Sequence, residues 1–341
     1  IRGFLPKLGL KTYLCRQRDS SKSDEFWSAD IAIEQNQLPK IDIDQDSDFA
    51  VMYTSGSTGH PKGVVMTHRG AISTLMSWHF GLRVLDAMGL GPVPYTDKNG
   101  QPFQPCQLVS VPFFHVSGSH GGVLLALWSG TKLVIMKKWD PPEAVRLIEL
   151  EKVSRFGGVP TMAAEILGEA KKVGAKLESI RLIDTGGAAR PADQAREMAE
   201  SIPNVLTGTS YGMTETTCGA STHYFYGARP VGSIGMRLPY HYTRTVVLDD
   251  QGNVERDCAE NEVGILLHKG PNVTVGYKQE KINDDAWPES EWFNSGDLAR
   301  FDKDGCCWLA GRRKDIIIRG GHNIDPLITE EAVMGHPDVE M

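Results

Sequence analysis

The segment YTSGSTGHPKGVVMTH, Tyr53–His68, concentrates hydroxyl side chains, glycines and one lysine before the chain turns apolar. Backbone amides of consecutive small residues can point into one concavity that holds an anion, and Ser and Thr hydroxyls add further donors. The ammonium group of Lys62 supplies a point positive charge for a phosphate. The segment therefore predicts a polyphosphate-binding loop, with a flexible glycine-rich hairpin as the alternative. The candidate phosphate ligands are Thr54, Ser55, Gly56, Ser57, Thr58, Gly59 and Lys62.

This loop differs from the common nucleotide-binding P-loop, G-x-x-x-x-G-K-[ST]. Pro61 precedes Lys62 here, and Gly63 follows it. Pro61 fixes the backbone and removes one amide donor directly before the lysine. A polyphosphate site of another kind is therefore indicated.

The elements that must hold this loop alternate between strand and helix patterns. Strands are predicted at 49–55, 107–114, 132–139, 180–187 and 204–212, and helices at 141–153, 161–173 and 191–202, while 63–82 combines a strand end with an amphipathic helix. Such alternation is typical of a largely parallel sheet covered by helices, an α/β fold. From about Val231 the pattern changes to short strands separated by turns, which predicts a smaller, more antiparallel β unit.

Composition excludes several classes of protein. The 341 residues carry a net charge of -7, so a nucleic-acid backbone is not an expected partner. No apolar run reaches the length of a membrane span. The six cysteines lack zinc-site spacing, which favours reduced thiols and a cytoplasmic location. The chain starts without methionine and stops directly after a predicted helix, so a fragment of a longer protein is expected.

Seven segments resemble, in the same order, the motifs of the adenylate-forming enzymes, which include acyl-CoA synthetases, coumarate–CoA ligases, luciferases and peptide-synthetase adenylation domains. The first is TSGSTGHPKG at 54–63. The others are PFFHVSG at 112–118, TGGAARP at 185–191, YGMTE at 211–215, GPNVTVGY at 270–277, WFNSGDLA at 292–299 and GRRKDIIIRGGHNIDP at 311–326. The resemblance makes a generic phosphate-binding α/β domain an unfavoured alternative.

The resemblance implies the fold and its division into domains. Residues 1–230 would form part of the large N-terminal AMP-binding domain, with mostly parallel sheets packed by helices. Residues 231–311 would form its small β-rich subdomain. Residues 312–341 would hold the hinge and the start of a C-terminal lid that is largely missing from this chain.

The resemblance also implies roles in binding ATP and Mg²⁺. Tyr211 would stack on adenine, Thr214 would contact the α-phosphate, and Glu215 would hold the metal; a core tyrosine and a solvated carboxylate are the alternatives. Residues lining the nucleotide would be Gly187, Ala188, Ala189, Gly212 and Met213, with Gly186 beside them. Lys62, His115, Thr214 and Glu215 are the candidate catalytic residues.

Asp297 would accept the ribose hydroxyls, and Arg312 would also touch the ribose. An Asx-type turn is the alternative for Asp297, and a solvated cationic face is the alternative for Arg312 and Lys314. By resemblance, Lys314 and Asp315 lie at the hinge. Gly320 and Gly321 would let the pantetheine of CoA pass close to the backbone.

His115 follows two phenylalanines, and it would border the carboxylate substrate; a packed core histidine is the alternative. The hinge motif is more similar to acyl-CoA synthetases than to amino-acid adenylation domains, so a fatty or aryl acid with CoA as acceptor is expected. Transfer to a carrier-protein phosphopantetheine and a non-catalytic nucleotide-binding relative stay as alternatives. Oligomeric state is not predicted.

Two departures from the family pattern concern the end of the chain. The family's essential lysine would lie beyond Met341, and Ile328 stands where a glutamate is usual. The chain is therefore expected to hold the nucleotide half of the site and to form adenylate poorly alone.

Overall fold

The strands and helices of the chain were assigned in a computed structural model that describes residues 41–54, 61–188, 192–225, 232–279, 286–313, 317–319, 322–324 and 333. The strands are β1 (Asp48–Thr54), β2 (Lys62–Thr67), β3 (Cys106–Val109), β4 (Lys132–Ile135), β5 (Arg155–Gly158), β6 (Leu182–Gly186), β7 (Leu206–Tyr211), β8 (Ser221–Phe225), β9 (Met236–Arg237), β10 (Tyr242–Leu248), β11 (Val254–Asp257), β12 (Gly264–Lys269), β13 (Gly276–Tyr277), β14 (Phe293–Phe301), β15 (Cys307–Arg312), β16 (Ile317–Arg319) and β17 (His322–Ile324). The helices are α1 (His68–Ala87), α2 (Leu125–Ser129), α3 (Pro141–Glu151), α4 (Pro160–Val173) and α5 (Ala192–Ser201). A π-helical segment, Ser117–Leu124, leads into α2, and a 3₁₀ turn covers Thr214–Thr216.

The largest sheet has seven strands in the order β4-β3-β5-β6-β7-β8-β9. The strands from β4 to β7 run parallel, whereas β8 and β9 are antiparallel to their neighbours. Helices cover its parallel strands, so apolar side chains of these strands are buried in the core. Leu108, Phe156 and Ile183 lie in the main core beside Ile148 of α3 and Ile166 of α4. The predicted α/β fold with a mostly parallel sheet is confirmed.

Capping residues in the sequence fix where two helices, α1 and α3, begin. Thr67 ends β2 and also caps α1, because its hydroxyl accepts a hydrogen bond from the amide of Gly70 at 3.1 Å. Asp140 caps α3 in the same way, and Pro141 occupies its first turn. The cap at Thr67 lets α1 begin directly after the hairpin that carries the candidate phosphate loop.

A second sheet contains five antiparallel strands in the order β11-β10-β12-β14-β15. This agrees with the antiparallel β unit predicted after Val231. A third sheet joins β1 and β2 to β13, which returns from about 210 residues further along the chain to pair Tyr277 with Val64. The boundaries predicted at 230/231 and 311/312 stay predictions.

The large sheet differs from the predictions at several strands. The strand predicted at 107–114 ends at Val109, because the chain turns at Pro112, whose carbonyl accepts from the amide of His115. The strand predicted at 132–139 ends at Ile135. The parallel strand β5 and the antiparallel strands β8 and β9 were not predicted. None of the helices in the part of the chain that the structure describes is long and apolar enough to cross a membrane.

Among the histidines whose burial the structure describes, three are buried: His120, His241 and His268 are at most 1% exposed. Burial lowers the pKa of His120 and of His241 to about 4 and lowers the pKa of His268 well below its usual value. Arg237 lowers the pKa of His241 further, although the hydrogen bond with Asn272 raises it. All three imidazoles are therefore neutral at pH 7.

We expect the free energy of unfolding to fall as the pH drops from about 6.5 towards 4. In that pH range these three histidines are protonated in the unfolded chain but stay neutral in the folded protein. Each of them therefore makes the free energy of unfolding fall by about 1.4 kcal/mol per pH unit. Urea titrations of the full-length protein between pH 7.5 and 5 measure this slope. His120→Gln should make it shallower, whereas His79→Gln, at an exposed position, should leave it unchanged. Equal slopes in both variants would contradict the prediction.

Candidate active site

The candidate residues after β3, β6 and β7 lie at one edge of the large sheet. These strands run parallel, so the segments that follow their carboxyl ends meet there. His115 follows β3, Gly187 and Ala188 follow β6, and Gly212 and the 3₁₀ turn follow β7. Gly186 and Ser210 are register partners, which brings the two glycine-containing turns side by side. Ligands of open α/β sheets bind at this edge.

The predicted phosphate loop closes a β-hairpin. Thr54 and Lys62 are partners in the β1–β2 ladder, so they stand opposite each other at the base of the loop. Both side chains are partly buried. The predicted residues Ser55, Gly56, Ser57, Thr58 and Gly59 lie outside the described residues, as do Ala189 and Lys314.

Lys62 and Glu215 meet at one aromatic ring. The Lys62 ammonium lies 5.4 Å from the centroid of the Tyr277 ring, and the Tyr277 hydroxyl donates a hydrogen bond of 2.8 Å to Glu215 Oε1. Burial, together with the Glu215 carboxylate, raises the pKa of Tyr277, so the phenol keeps its proton and acts as donor. A cation, a phenol and a carboxylate from three distant parts of the sequence are thus connected.

Asp297 forms the second polar centre. Its Oδ2 accepts a hydrogen bond of 2.5 Å from the Tyr211 hydroxyl, and its Oδ1 accepts one of 3.1 Å from Arg312 Nε. Asp297 is only 5% exposed and is the register partner of Arg312 across β14 and β15. Burial and the neighbouring Asp297 raise the pKa of Tyr211 well above its usual value. This contact ties the end of β7 in the large sheet to the second sheet.

The segment from Gly212 to Gly219 has a tightly turned backbone. Thr217 and Cys218 both have positive φ, 49° and 77°, a conformation that is costly for a β-branched residue such as Thr217. The backbone amide of Thr274 donates to the carbonyl of Glu215 at 2.7 Å, and Met213 packs beside Val64 and Tyr277. These contacts hold Thr214 and Glu215 in place at the sheet edge.

Gly212→Ala is expected to destabilise the protein by about 2–4 kcal/mol. A Cβ at this position would lie 2.0 Å from the carbonyl oxygen of Cys218, and backbone at both ends of the turn would have to move. Urea unfolding measures the loss. Gly168→Ala is the matched control, because nothing lies within 4 Å of a Cβ there. A stability equal to that of the control would refute the close contact.

His115 is exposed and contacts Phe114, with ring centroids 4.7 Å apart. The alternative of a packed core histidine is therefore wrong for His115. His120, five residues later, is the buried histidine of this segment, and its Nδ1 lies 3.0 Å from the hydroxyl of Ser119. The role of His115 beside the acid substrate stays a prediction.

Sequence reasoning missed Tyr277, which links Lys62 to Glu215. It closes the GPNVTVGY segment, so its motif was recognised although its contact was not. It also missed a buried group in which His241 contacts Asn272 and His268, which lie 31 and 27 residues further along the chain. No local pattern signals that these three side chains meet.

Comparisons with known proteins agree with this arrangement. The family model "AMP-binding enzyme" matches residues 6–278. The marinolic acid–CoA ligase of Pseudoalteromonas sp. is 40% identical over 299 residues, which cover 86% of this chain and 43% of that protein. The 2-succinylbenzoate–CoA ligase of Bacillus licheniformis is 32% identical over 299 residues, covering 87% of this chain and 56% of that protein.

Solved structures show the same fold. O-succinylbenzoate coenzyme A synthetase from Bacillus subtilis in complex with AMP matches with a TM-score of 0.70 at 29% identity, covering 87% of this chain and 56% of that chain. The same enzyme in complex with ATP and magnesium ion matches with a TM-score of 0.70 at 28% identity, covering 90% of this chain and 59% of that chain. The fold predicted from the motifs is thus confirmed.

The chain spans about half the length of the curated relatives it matches, 43% and 56% of the two named above. The family match itself covers most of the chain, from residue 6 to residue 278. It includes the phosphate-loop hairpin, the edge of the large sheet and Tyr277. This chain therefore belongs to the AMP-binding enzyme family, the adenylate-forming enzymes that its motifs resemble.

Proposed function

We propose that the full-length protein activates a carboxylic acid with ATP and then transfers the acyl group to CoA, giving acyl-CoA, AMP and pyrophosphate. The observation that carries the proposal is the connection of Lys62 to Glu215 through Tyr277, at the same sheet edge as the Tyr211–Asp297–Arg312 contacts. One group suits phosphates and a metal, and the other suits a ribose. Binding of one nucleotide needs both a site for its phosphates and a site for its ribose.

In the first step, a carboxylate oxygen of the acid forms a bond to the α-phosphorus of ATP. The bond between this phosphorus and the bridging oxygen breaks, and pyrophosphate leaves with its electron pair. Lys62 and the amides of the loop would neutralise the leaving phosphates, and Thr214 would donate to the α-phosphate. Positioning and charge neutralisation account for most of the acceleration in such a step.

The chain's residues fit Mg²⁺ held jointly with the nucleotide. Tyr277 occupies Oε1 of Glu215, and Oε2 receives no hydrogen bond from the residues described. Within the described ranges, no three His, Cys, Asp or Glu side chains converge to hold a metal without further ligands. Mg²⁺ commonly takes one or two carboxylates together with substrate phosphates, and there it neutralises charge on the phosphates. Glu215 would supply that carboxylate.

In the second step, the sulfur of CoA attacks the acyl carbon, and the bond from this carbon to the AMP oxygen breaks. We propose a fatty or aryl acid as substrate, because the hinge segment resembles acyl-CoA synthetases and the two named relatives are CoA ligases by name. His115, exposed after β3, would border the acid.

The test is pyrophosphate release by the full-length protein with ATP, Mg²⁺ and a panel of short, medium, long and aryl acids, with and without CoA. The proposal expects release that depends on one class of acid and yields acyl-CoA when CoA is present. Acid-dependent release with transfer to a phosphopantetheinylated carrier protein, and not to CoA, would overturn the CoA assignment. ATP binding without release for any acid would favour the non-catalytic alternative.

A further inference from the structure

Asn272, His241 and His268 form a hydrogen-bonded chain, here called the buried relay, beneath the candidate site. Asn272 is 4% exposed, His241 1% and His268 0%. His241 Nδ1 lies 2.9 Å from Asn272 Oδ1, and His241 Nε2 lies 3.0 Å from His268 Nδ1. Polar groups this deeply buried are costly unless each one is matched with a partner of the right kind.

The orientation of the Asn272 side-chain amide determines which group donates and which accepts in every hydrogen bond of the buried relay. Asn272 Nδ2 contacts the carbonyl oxygens of Thr216 and Gly219, which only accept, so the NH₂ group must face them. Asn272 Oδ1 then faces His241, whose Nδ1 must carry the proton. Because burial keeps His241 neutral, its Nε2 is bare and accepts from the Nδ1 proton of His268.

One end of the buried relay holds the segment that carries Thr214 and Glu215. The side-chain NH₂ group of Asn272 donates to the backbone carbonyls of Thr216 and Gly219, and the Thr217 hydroxyl donates to the backbone carbonyl of Asn272 at 2.7 Å. Thr217 and Cys218, the residues with positive φ, lie between the bridged carbonyls. A backbone strained in this way persists only where surrounding contacts hold it.

The other end of the buried relay reaches Tyr211. The His268 and Tyr211 rings have centroids 5.9 Å apart, and both residues line a small cavity together with Arg237 and Thr243. His268 Nε2 is buried and has no hydrogen-bond partner among the described residues. By the directions derived above it is an acceptor, so a water molecule in this cavity would complete the relay.

We propose that His241 and His268 are positioning residues of the nucleotide site. Their fixed tautomers orient the Asn272 amide, which in turn fixes the Thr216–Gly219 backbone and with it Thr214 and Glu215. This inference rests on the proposed function for its consequence in catalysis, whereas the tautomers are a property of the folded chain alone. The buried relay acts through the Thr216–Gly219 segment, and none of its three members needs to touch the nucleotide.

The first test is ¹⁵N NMR of the full-length protein labelled in its histidines. Two buried histidines should be neutral with the proton on Nδ1, the tautomer less populated for imidazole in water, and His241→Gln and His268→Gln assign their signals. A proton on Nε2 of His241 or His268 would overturn the proposal. This readout needs neither ATP nor an acid, so it stands even if the protein releases no pyrophosphate.

The second test compares His241→Gln with His241→Leu. A glutamine amide can donate to Asn272 and accept from His268, whereas leucine fills the space but breaks the relay. We expect His241→Leu to raise the Kd for MgATP about tenfold, measured by calorimetry on folded protein, and His241→Gln to retain most of the affinity. A packing role alone predicts the reverse order, and that order would overturn the proposal.

Asn272→Asp keeps the shape of the side chain but removes both donors to Thr216 and Gly219. We expect it to weaken MgATP binding at least as much as His241→Leu. Asn99→Asp, in an exposed turn, is the matched control and should bind normally. An Asn272→Asp protein with the affinity of this control would also overturn the proposal.

Discussion

Glu215→Gln is expected to lower the rate of acid-dependent pyrophosphate release by the full-length protein about 10²–10³-fold. Glutamine keeps an oxygen that can accept from the Tyr277 hydroxyl, so the 2.8 Å contact and the local packing can persist. What it removes is the negative charge that would bind Mg²⁺ beside the phosphates. The rate should therefore fall far more than the free energy of unfolding.

Steady-state rates at saturating ATP and increasing Mg²⁺ measure this effect. Raised Mg²⁺ should recover part of the rate if the loss is one of metal affinity. Glu200→Gln, on an exposed position of α5, is the matched control for loss of a carboxylate. Tyr277→Phe, which keeps the ring beside Lys62 but loses the donor, should cause a smaller loss of about tenfold. A Glu215→Gln enzyme with the rate of the control would remove Glu215 from the metal site.

Asp297→Asn is expected to weaken the binding of AMP about 10–100-fold and to lower the free energy of unfolding by about 1.5–3 kcal/mol. The two oxygens of Asp297 accept from Tyr211 and from Arg312. An amide retains one oxygen, so one of these donors faces an NH₂ group instead. The ribose hydroxyls would lose a charged acceptor at the same position, and the contact between the two sheets would weaken.

Calorimetric titration with AMP and urea unfolding separate the two effects. Asp304→Asn, in the exposed turn between β14 and β15, is the matched control and should change neither quantity. A loss of stability with unchanged AMP affinity would mean that Asp297 joins the two sheets but does not bind the ribose. An unchanged stability would contradict the hydrogen bonds to Tyr211 and Arg312.

Much of the fold was accessible from local patterns. The strand patterns of β3, β4, β6 and β7 and the helix patterns of α3 and α4 depend on residues near one another in the chain. The short strand β5 was not predicted. The change to antiparallel strands after Val231 was visible in the same way. Local signals predicted less well where a strand ends, as at Val109, because the end depends on how the following turn packs.

The same distinction between local patterns and long-range contacts applies to the candidate site. Motif residues such as Lys62, Glu215, Asp297 and Arg312 could be named in advance, because each stands in a short segment with a recognisable composition. The contacts of these residues could not be predicted, since Tyr277 reaches Glu215 across 62 residues and Tyr211 reaches Asp297 across 86. Sequence periodicity carries no information on contacts of that range.

The amino-acid sequence was thus sufficient for the α/β class, the family motifs and the residue types suited to phosphate, metal and ribose. The contacts among those residues followed from folding, which returns β13 to β2 and packs β14 against the end of β7. The buried relay shows the difference most clearly. Its three residues carry no motif for such a chain, and their tautomers follow only from the two carbonyls that Asn272 meets in the folded protein. Because an unmatched polar group in the core is costly, burial forces every member of the buried relay to adopt the donor and acceptor roles that this direction requires.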